Sequence, residues 1–169
     1  MQDATAKTNA GTKHIVRYLS GRSDTVKIVN VEDDIAYRKK DIDLLWHRKI
    51  DGITKVCSIE VKVDTYFRTG NYFLETISNV EKNTPGCFLY SEADYFFYYF
   101  LEAELHVMHL EKIRNWFLPQ LTLFARKRTS TPVADGFYQT EGRLVSRAKV
   151  QQELPGSVVV VKYHPDWAV

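Results

Sequence analysis

Two short runs of alternating apolar and charged residues, joined across a tight turn, constrain the fold of this chain most strongly. The first run covers residues 41–46, the second covers residues 57–63, and Asp51-Gly52 lies between them. An Asp-Gly pair between alternating runs is a strong signal for a β-hairpin with a two-residue turn. In the second run Glu60 and Lys62 interrupt an otherwise apolar strand, where a charge is costly unless it is paired or bound to a cation. The pattern therefore predicts an antiparallel hairpin that carries a functional polar site.

The polar residues of this hairpin suit the chemistry of phosphodiester hydrolysis. Side chains alternate across a strand, so Glu60 and Lys62 share a face, and the partner strand brings Asp43 to the same side of the sheet. Two neighbouring carboxylates repel each other, and Mg²⁺ bound between them removes that repulsion. A lysine beside them can orient or deprotonate the attacking water. We therefore predict Asp43, Glu60 and the carbonyl of Val61 as metal ligands and Lys62 as a catalytic residue.

The spacing leaves open which of two aspartates is the first acidic ligand. Asp41 and Asp43 lie two residues apart and share a face if the strand includes both. We prefer Asp43, because it leads directly into the apolar residues 44–46, and assign Asp41 a secondary role. Asp64, two residues beyond Lys62 on the same face, is a candidate accessory group.

Apolar periodicity along the rest of the chain predicts one α/β domain over residues 1–169. We expect helices over 3–20, 71–81 and 111–118. We expect strands over 25–30, 35–48 (mainly from residue 41), 53–63, 87–90, 95–100 and 105–110, and over 157–162, which four consecutive valines mark as buried on both faces. Residues 130–136 are predicted to form a loop, and residues 143–150 a strand or part of a helix.

The hairpin resembles the motif of the PD-(D/E)XK nuclease superfamily, whose members share the restriction-endonuclease-like fold. In that motif an acid at the start of one strand is followed by an acid-x-lysine on the next, and here Asp43, Glu60 and Lys62 match it. The resemblance covers about residues 3–100. It implies an αβββαβ core with a central mixed sheet of four or five strands flanked by helices. The core would span about residues 3–118, and a C-terminal extension of residues 119–169 would end in a strand.

The same resemblance implies a function. Members hydrolyse DNA, less often RNA, with Mg²⁺, for which Mn²⁺ can substitute, and those that cut duplexes are often homodimers. We therefore expect duplex or branched DNA as the substrate. Many members carry a polar catalytic residue on the helix after the lysine strand, and Glu75 is the candidate for it. Many also use a glutamate on the first helix, where this chain has only Asp3 and His14.

Charge and composition neither demand nor exclude nucleic acid as a partner. The formal net charge of +2 is too small to argue for it alone. Two basic runs are nevertheless candidates for phosphate contacts: Arg38, Lys39 and Lys40, and Arg126, Lys127 and Arg128. No apolar run approaches the roughly 18 residues of a membrane span, and Cys57 and Cys87 form no CxxC pattern. We expect a cytoplasmic protein with buried thiols and no membrane partner.

Two other classes of function compete with the nuclease. A catalytically inactive module of the same fold would bind nucleic acid or a protein and keep the polar residues as a structural ion pair. A structural or regulatory protein would use the six aromatic residues 95–100 as an interface, although burial within the chain explains them better. His106 and His109, three residues apart on a strand, face opposite sides and are not expected to bind metal together.

Overall fold

The computed structural model describes residues 2–133 and 136–168 and has an α/β architecture. Its α-helices are α1 Gln2–Ser20, α2 Ile35–Arg38, α3 Cys87–Tyr90, α4 Leu110–Phe117 and α5 Arg147–Glu153. Its strands are β1 Thr25–Asn30, β2 Leu44–Ile50, β3 Ile53–Asp64, β4 Asn71–Asn79, β5 Thr84–Pro85, β6 Tyr95–Phe100, β7 Glu104–His109, β8 Ala125–Val133, β9 Gly136–Ser146 and β10 Val158–Lys162. Short 3₁₀ turns cover Phe67–Thr69, Leu118–Leu123 and Pro165–Trp167.

The predicted hairpin is confirmed and forms the second and third strands of a six-stranded mixed sheet. The strand order is β1-β2-β3-β6-β7-β10, so the sheet is larger than the four or five strands expected. β2 and β3 pair antiparallel around the turn at Asp51 and Gly52, with Leu44 opposite Ile59. β3 and β6 run parallel, with Glu60 opposite Phe96, and the other neighbouring strands of this sheet are antiparallel. Parallel pairing requires a long crossover, which here contains β4, β5 and α3.

The first helix packs on one face of this sheet. Ile15 and Leu19 of α1 are fully buried in a core that includes Ile59 and Val61 of β3. Gly11 lies within α1, and packing against β3 explains a glycine at this position. A Cβ at that position would lie 2.5 Å from Cγ2 of Val63, so only glycine lets α1 approach β3 this closely.

The aromatic strand β6 is buried on both faces by the chain itself. Phe96, Tyr98 and Phe100 lie in one hydrophobic core, and Phe97 and Tyr99 lie in the core under α1. This alternation follows from the period of two in a strand. The aromatic run is therefore explained by two internal layers rather than by an exposed interface.

A second sheet covers the other face and corrects two predictions. Its order is β5-β4-β9-β8, and β4 occupies the region predicted to be a helix over residues 71–81. Tyr72, Leu74 and Thr76 are buried in alternation, so the period of two overrides the helical spacing assumed there. Residues 87–90, predicted as a strand, form the single helical turn α3, which places Phe88 in the core.

Smaller corrections concern the chain before β2 and the C-terminal third. Residues 35–38 form α2, capped by the side chain of Asp34, so the strand begins only at Leu44. The predicted loop over 130–136 is instead the pairing region of β8 and β9, with residues 134 and 135 outside the described part. Residues 143–150 contain the end of β9 and the start of α5. β10 is confirmed as a strand, but it lies at the sheet edge with Val159 59% exposed, because it pairs only with β7.

None of the helices in the described ranges is long and apolar enough to cross a membrane.

Candidate functional site

Asp43 is fixed in the sheet by its backbone and by its side chain. Its N–H donates to the carbonyl of Ile59 at 2.9 Å, and its carbonyl accepts from the N–H of Val31 at 2.8 Å. Its Oδ2 accepts from the N–H of Val61 at 2.7 Å. Burial raises the pKa of Asp43 to about 6, and the negative charge of Glu32 adds to this effect. The carboxyl group is therefore held where ionisation is unfavourable without a cation.

Glu60 is the most deeply buried acid of the site. It faces away from α1, and only 6% of its surface is exposed. Its Oε2 has no hydrogen-bond partner within the described part of the chain. Burial, together with the charges of Asp43 and Asp41, raises the pKa of Glu60 well above 4.5.

Asp41 belongs to the same cluster of acids. Its position is more central than the secondary role that the sequence suggests. Its backbone has a φ of 54°, a left-handed conformation that is uncommon for a residue other than glycine. Its Oδ1 accepts from the hydroxyl of Tyr90 at 3.1 Å, and its carbonyl accepts from the hydroxyl of Ser91 at 2.8 Å. Its Oδ2 is buried and finds no hydrogen-bond partner among the described residues. Burial raises the pKa of Asp41, and the charge of Glu75 raises it further.

Lys62 lies beside these acids and is paired with Glu75. Lys62 Nζ is 3.5 Å from Glu75 Oε2, and the two side chains are 28% and 13% exposed. Burial opposes the lysine charge, but its acidic surroundings outweigh burial and raise the pKa of Lys62. Glu75 thus reaches the site as predicted, but from β4 rather than from a helix.

The donor set fits a divalent cation. The carboxyl groups of Asp41, Asp43 and Glu60 act electrostatically on one another, and two of their buried oxygens lack a hydrogen-bond partner among the described residues. Buried carboxylates without compensation are unfavourable, and hard oxygen ligands are those preferred by Mg²⁺. Val61 is buried, and the ligand role of its carbonyl stays a prediction.

Several other candidates are engaged elsewhere. The carboxylate of Asp64 accepts from the hydroxyl of Tyr98 and, at 2.6 Å, from the N–H of Tyr66. His14 of α1 hydrogen-bonds the hydroxyl of Tyr99 at 3.0 Å, and the side chain of Asp3 is outside the described part. His106 is buried and His109 is exposed, in agreement with the prediction that they face opposite sides.

The two basic runs have different environments. Arg38, Lys39 and Lys40 are exposed on and after α2, immediately before Asp41, and Lys40 pairs with Glu92 at 3.0 Å. The second run lies on strand β8 and not in a loop.

In that second run, Arg126 and Arg128 both pair with the buried carboxylate of Glu141, at 3.2 and 2.8 Å. Lys127 lies opposite Gly142 of β9, which in turn lies opposite Glu75. Directly opposed residues share a face of a sheet, so Lys127 is on the side of Glu75.

Sequence reasoning missed three residues of the site. Cys87 and Tyr90 belong to α3, which lies in the crossover between β3 and β6 and brings both residues close to the acids. Glu32 follows β1, and its negative charge raises the pKa of Asp43. Each is distant in sequence from the hairpin, and the run from Cys87 to Tyr90 reads as an apolar segment, so no local pattern identifies them.

Comparison with known proteins identifies no relative. No protein-family model, no curated protein and no solved structure matches the chain.

Proposed function

We propose that this protein is a Mg²⁺-dependent endonuclease that hydrolyses phosphodiester bonds in DNA. The observation that carries the proposal is the buried cluster of Asp41, Asp43 and Glu60 beside Lys62. Two oxygens of this cluster have no hydrogen-bond partner among the described residues. Folding leaves such a cluster uncompensated, and a bound cation supplies the missing charge.

The residues divide the work by position. Asp43 and Glu60 would hold Mg²⁺, with Asp41 and the carbonyl of Val61 as further ligands. When bound, Mg²⁺ would polarise the scissile phosphate and neutralise the charge that develops on it. Lys62 stays protonated because its pKa is raised, so it acts as a donor that orients the attacking water.

Glu75 supports this role of Lys62. Its carboxylate lies 3.5 Å from Lys62 Nζ and holds the ammonium group next to the acids. An ion pair with 28% and 13% exposed partners is screened less than a surface pair, so it restricts the lysine more effectively.

The topology supports the finer fold assignment, a restriction-endonuclease-like core. A helix is followed by three antiparallel strands, and the next strand of the main sheet, β6, lies parallel to β3. This order agrees with an αβββαβ core in which the fourth strand follows a crossover. The single turn of α3 would stand in the place of the second helix, and β4 and β5 would be an insertion in the crossover.

Exposed basic residues that precede Asp41 in the chain or share a sheet face with Glu75 support DNA as the partner. Arg38, Lys39 and Lys40 precede Asp41 directly, and Lys127 lies two strands from Glu75 in the second sheet. Phosphate contacts by such residues give affinity without sequence specificity. Cleavage of both strands of a duplex would require two sites, for which a homodimer is the simplest arrangement.

One observation favours the alternative of an inactive binding module. Lys62 is already paired with Glu75. In an inactive binding module this ion pair would be purely structural, and Lys62 would have no catalytic role. The two functions differ in metal dependence. Mg²⁺ that binds only the native state raises the free energy of unfolding, so a nuclease of this kind is stabilised by the metal whereas the inactive binding module is not.

The experiment measures nicking of supercoiled plasmid in the presence of Mg²⁺ or Mn²⁺, together with thermal unfolding of the same protein samples. We expect nicking by the parent protein, loss of nicking in Lys62→Ala and Glu60→Gln, and metal-dependent stabilisation that only Glu60→Gln loses. Lys55→Ala is the matched control, because Lys55 lies on the exposed half of the same strand. Lys62→Ala that cleaves like the parent refutes the role of the lysine, and a parent without any metal response refutes the metal-dependent nuclease and favours the binding module.

A further inference from the structure

Cys87 gives the acid cluster a sulfur ligand that phosphodiester hydrolysis with Mg²⁺ does not need. Ligating atoms of Asp41, Glu60 and Cys87 all lie within 4.8 Å of one another. We propose that these three residues form a site for a thiophilic divalent cation, Zn²⁺ above all, and that its occupation blocks the Mg²⁺ site. The binding itself stands on the geometry alone, whereas the inhibition rests on the proposed nuclease function.

The fold brings the thiol to the acids by a close approach of two backbones. Cys87 is the first residue of α3, and Gly86 precedes it against β4. A Cβ on Gly86 would lie 2.5 Å from the carbonyl oxygen of Glu75, so glycine permits this contact. The helical turn therefore carries the thiol to the Lys62–Glu75 side of the cluster, where Cys87 is a free, half-buried cysteine.

A second observation independent of the cysteine points to a cation at this position. Glu60 is 94% buried, since 6% of its surface is exposed, and its Oε2 has no hydrogen-bond partner among the described residues. Asp41 Oδ2 is likewise buried and without a hydrogen-bond partner. Each of the two acids grouped with the thiol thus has a buried carboxylate oxygen without a hydrogen-bond partner among the described residues.

The ligand chemistry selects the cation. Mg²⁺ prefers oxygen ligands, whereas Zn²⁺ accepts both carboxylate oxygen and thiolate sulfur in a tetrahedral site. With bonds of about 2.0–2.3 Å, tetrahedral ligands lie roughly 3.5 Å apart. Atoms within 4.8 Å of one another therefore need to approach by at most about 1.3 Å. A water would complete the fourth position.

Binding displaces the thiol proton. Burial raises the pKa of Cys87 well above 9.0, so the metal-free protein carries a thiol. As sulfur binds the cation, its proton passes to solvent, and no oxidant or reductant takes part. Because Glu60 serves both cations, a bound Zn²⁺ excludes Mg²⁺ from the catalytic arrangement.

Titration of metal-depleted protein with Cd²⁺, read as the ultraviolet thiolate-to-metal charge-transfer band, tests the site directly. We expect a saturable band in the parent protein, no band in Cys87→Ser and an unchanged band in Cys57→Ser. Cys57 is the matched control, because it is the other cysteine and lies in the core under α1. Glu60→Gln should keep the band but weaken Cd²⁺ binding by at least about tenfold.

The outcomes separate this site from the nuclease. A band that persists in Cys87→Ser, that disappears in Cys57→Ser, or that is missing in the parent protein overturns the thiophilic site and leaves Mg²⁺-dependent cleavage untouched. A band that behaves as expected in a protein without nuclease activity supports the site and refutes only the proposed function. If both hold, Zn²⁺ should inhibit Mg²⁺-dependent nicking by the parent protein.

Discussion

Replacement of Asp43 by Asn should stabilise the metal-free protein while removing its metal response. The variant keeps an oxygen that accepts from the N–H of Val61, and it removes a negative charge that raises the pKa of Glu60. The gain comes from the charge alone, because the side chains are nearly equal in size. A site kept for metal binding is therefore expected to cost stability when no metal is bound.

The raised pKa of Asp43 sets the size of the expected gain in unfolding free energy. A rise from 3.8 to about 6 corresponds to about 3 kcal/mol at 1.36 kcal/mol per pKa unit. Because the pKa is raised in the folded state, the stability contribution of this carboxyl is complete below pH 3.8 and is lost as the pH rises through about 6. The advantage of Asp43→Asn should therefore approach 3 kcal/mol at pH 8 and fall to about 1 kcal/mol at pH 4.5.

Urea unfolding in EDTA at pH 8 and pH 4.5 measures both values, and Asp33→Asn on an exposed loop is the control. Addition of Mg²⁺ at pH 8 should stabilise the parent protein and leave Asp43→Asn unchanged. A variant no more stable than the parent at pH 8, or equally stabilised at both pH values, refutes the claim that Asp43 is held in an unfavourable ionised state.

Three further predictions concern the surroundings of the site. Burial lowers the pKa of His106 below 6.5, so the folded parent protein loses stability relative to His106→Gln as the pH falls below 6.5. Unfolding of both proteins at pH 7.5 and pH 5 measures this difference in unfolding free energy, and a difference that does not change with pH contradicts it. Gly86→Ala should cost about 1–3 kcal/mol and reduce cleavage, because its Cβ meets the backbone of Glu75; an unchanged melting temperature excludes the clash. Lys127→Ala should weaken DNA binding, measured by fluorescence anisotropy at low salt, more than Arg126→Ala does, since Glu141 already neutralises Arg126; equal losses contradict this.

Much of the candidate site follows from local sequence, although its supporting elements do not. The alternation around Glu60 and the Asp-Gly turn specify the hairpin, because strand period and turn chemistry act over a few residues. The sequence points to Glu75 as a site residue but predicts a helix around it, because its segment has apolar residues at both helical and strand spacing. Pairing with β9 decides in favour of the strand, and that pairing joins segments about 70 residues apart.

The same division holds for the fold. The sequence by itself predicts that the six aromatic residues in a row form a strand, and that Asp43, directly before β2, lies beside Glu60 of β3. Only the tertiary structure decides which layers cover that strand, that β10 lies at a sheet edge, and that α3 carries Cys87 to Asp41 and Glu60. The physical reason is range: hydrophobic period and turn preference are properties of neighbouring residues, whereas the crossover between β3 and β6 brings together groups that share no local pattern.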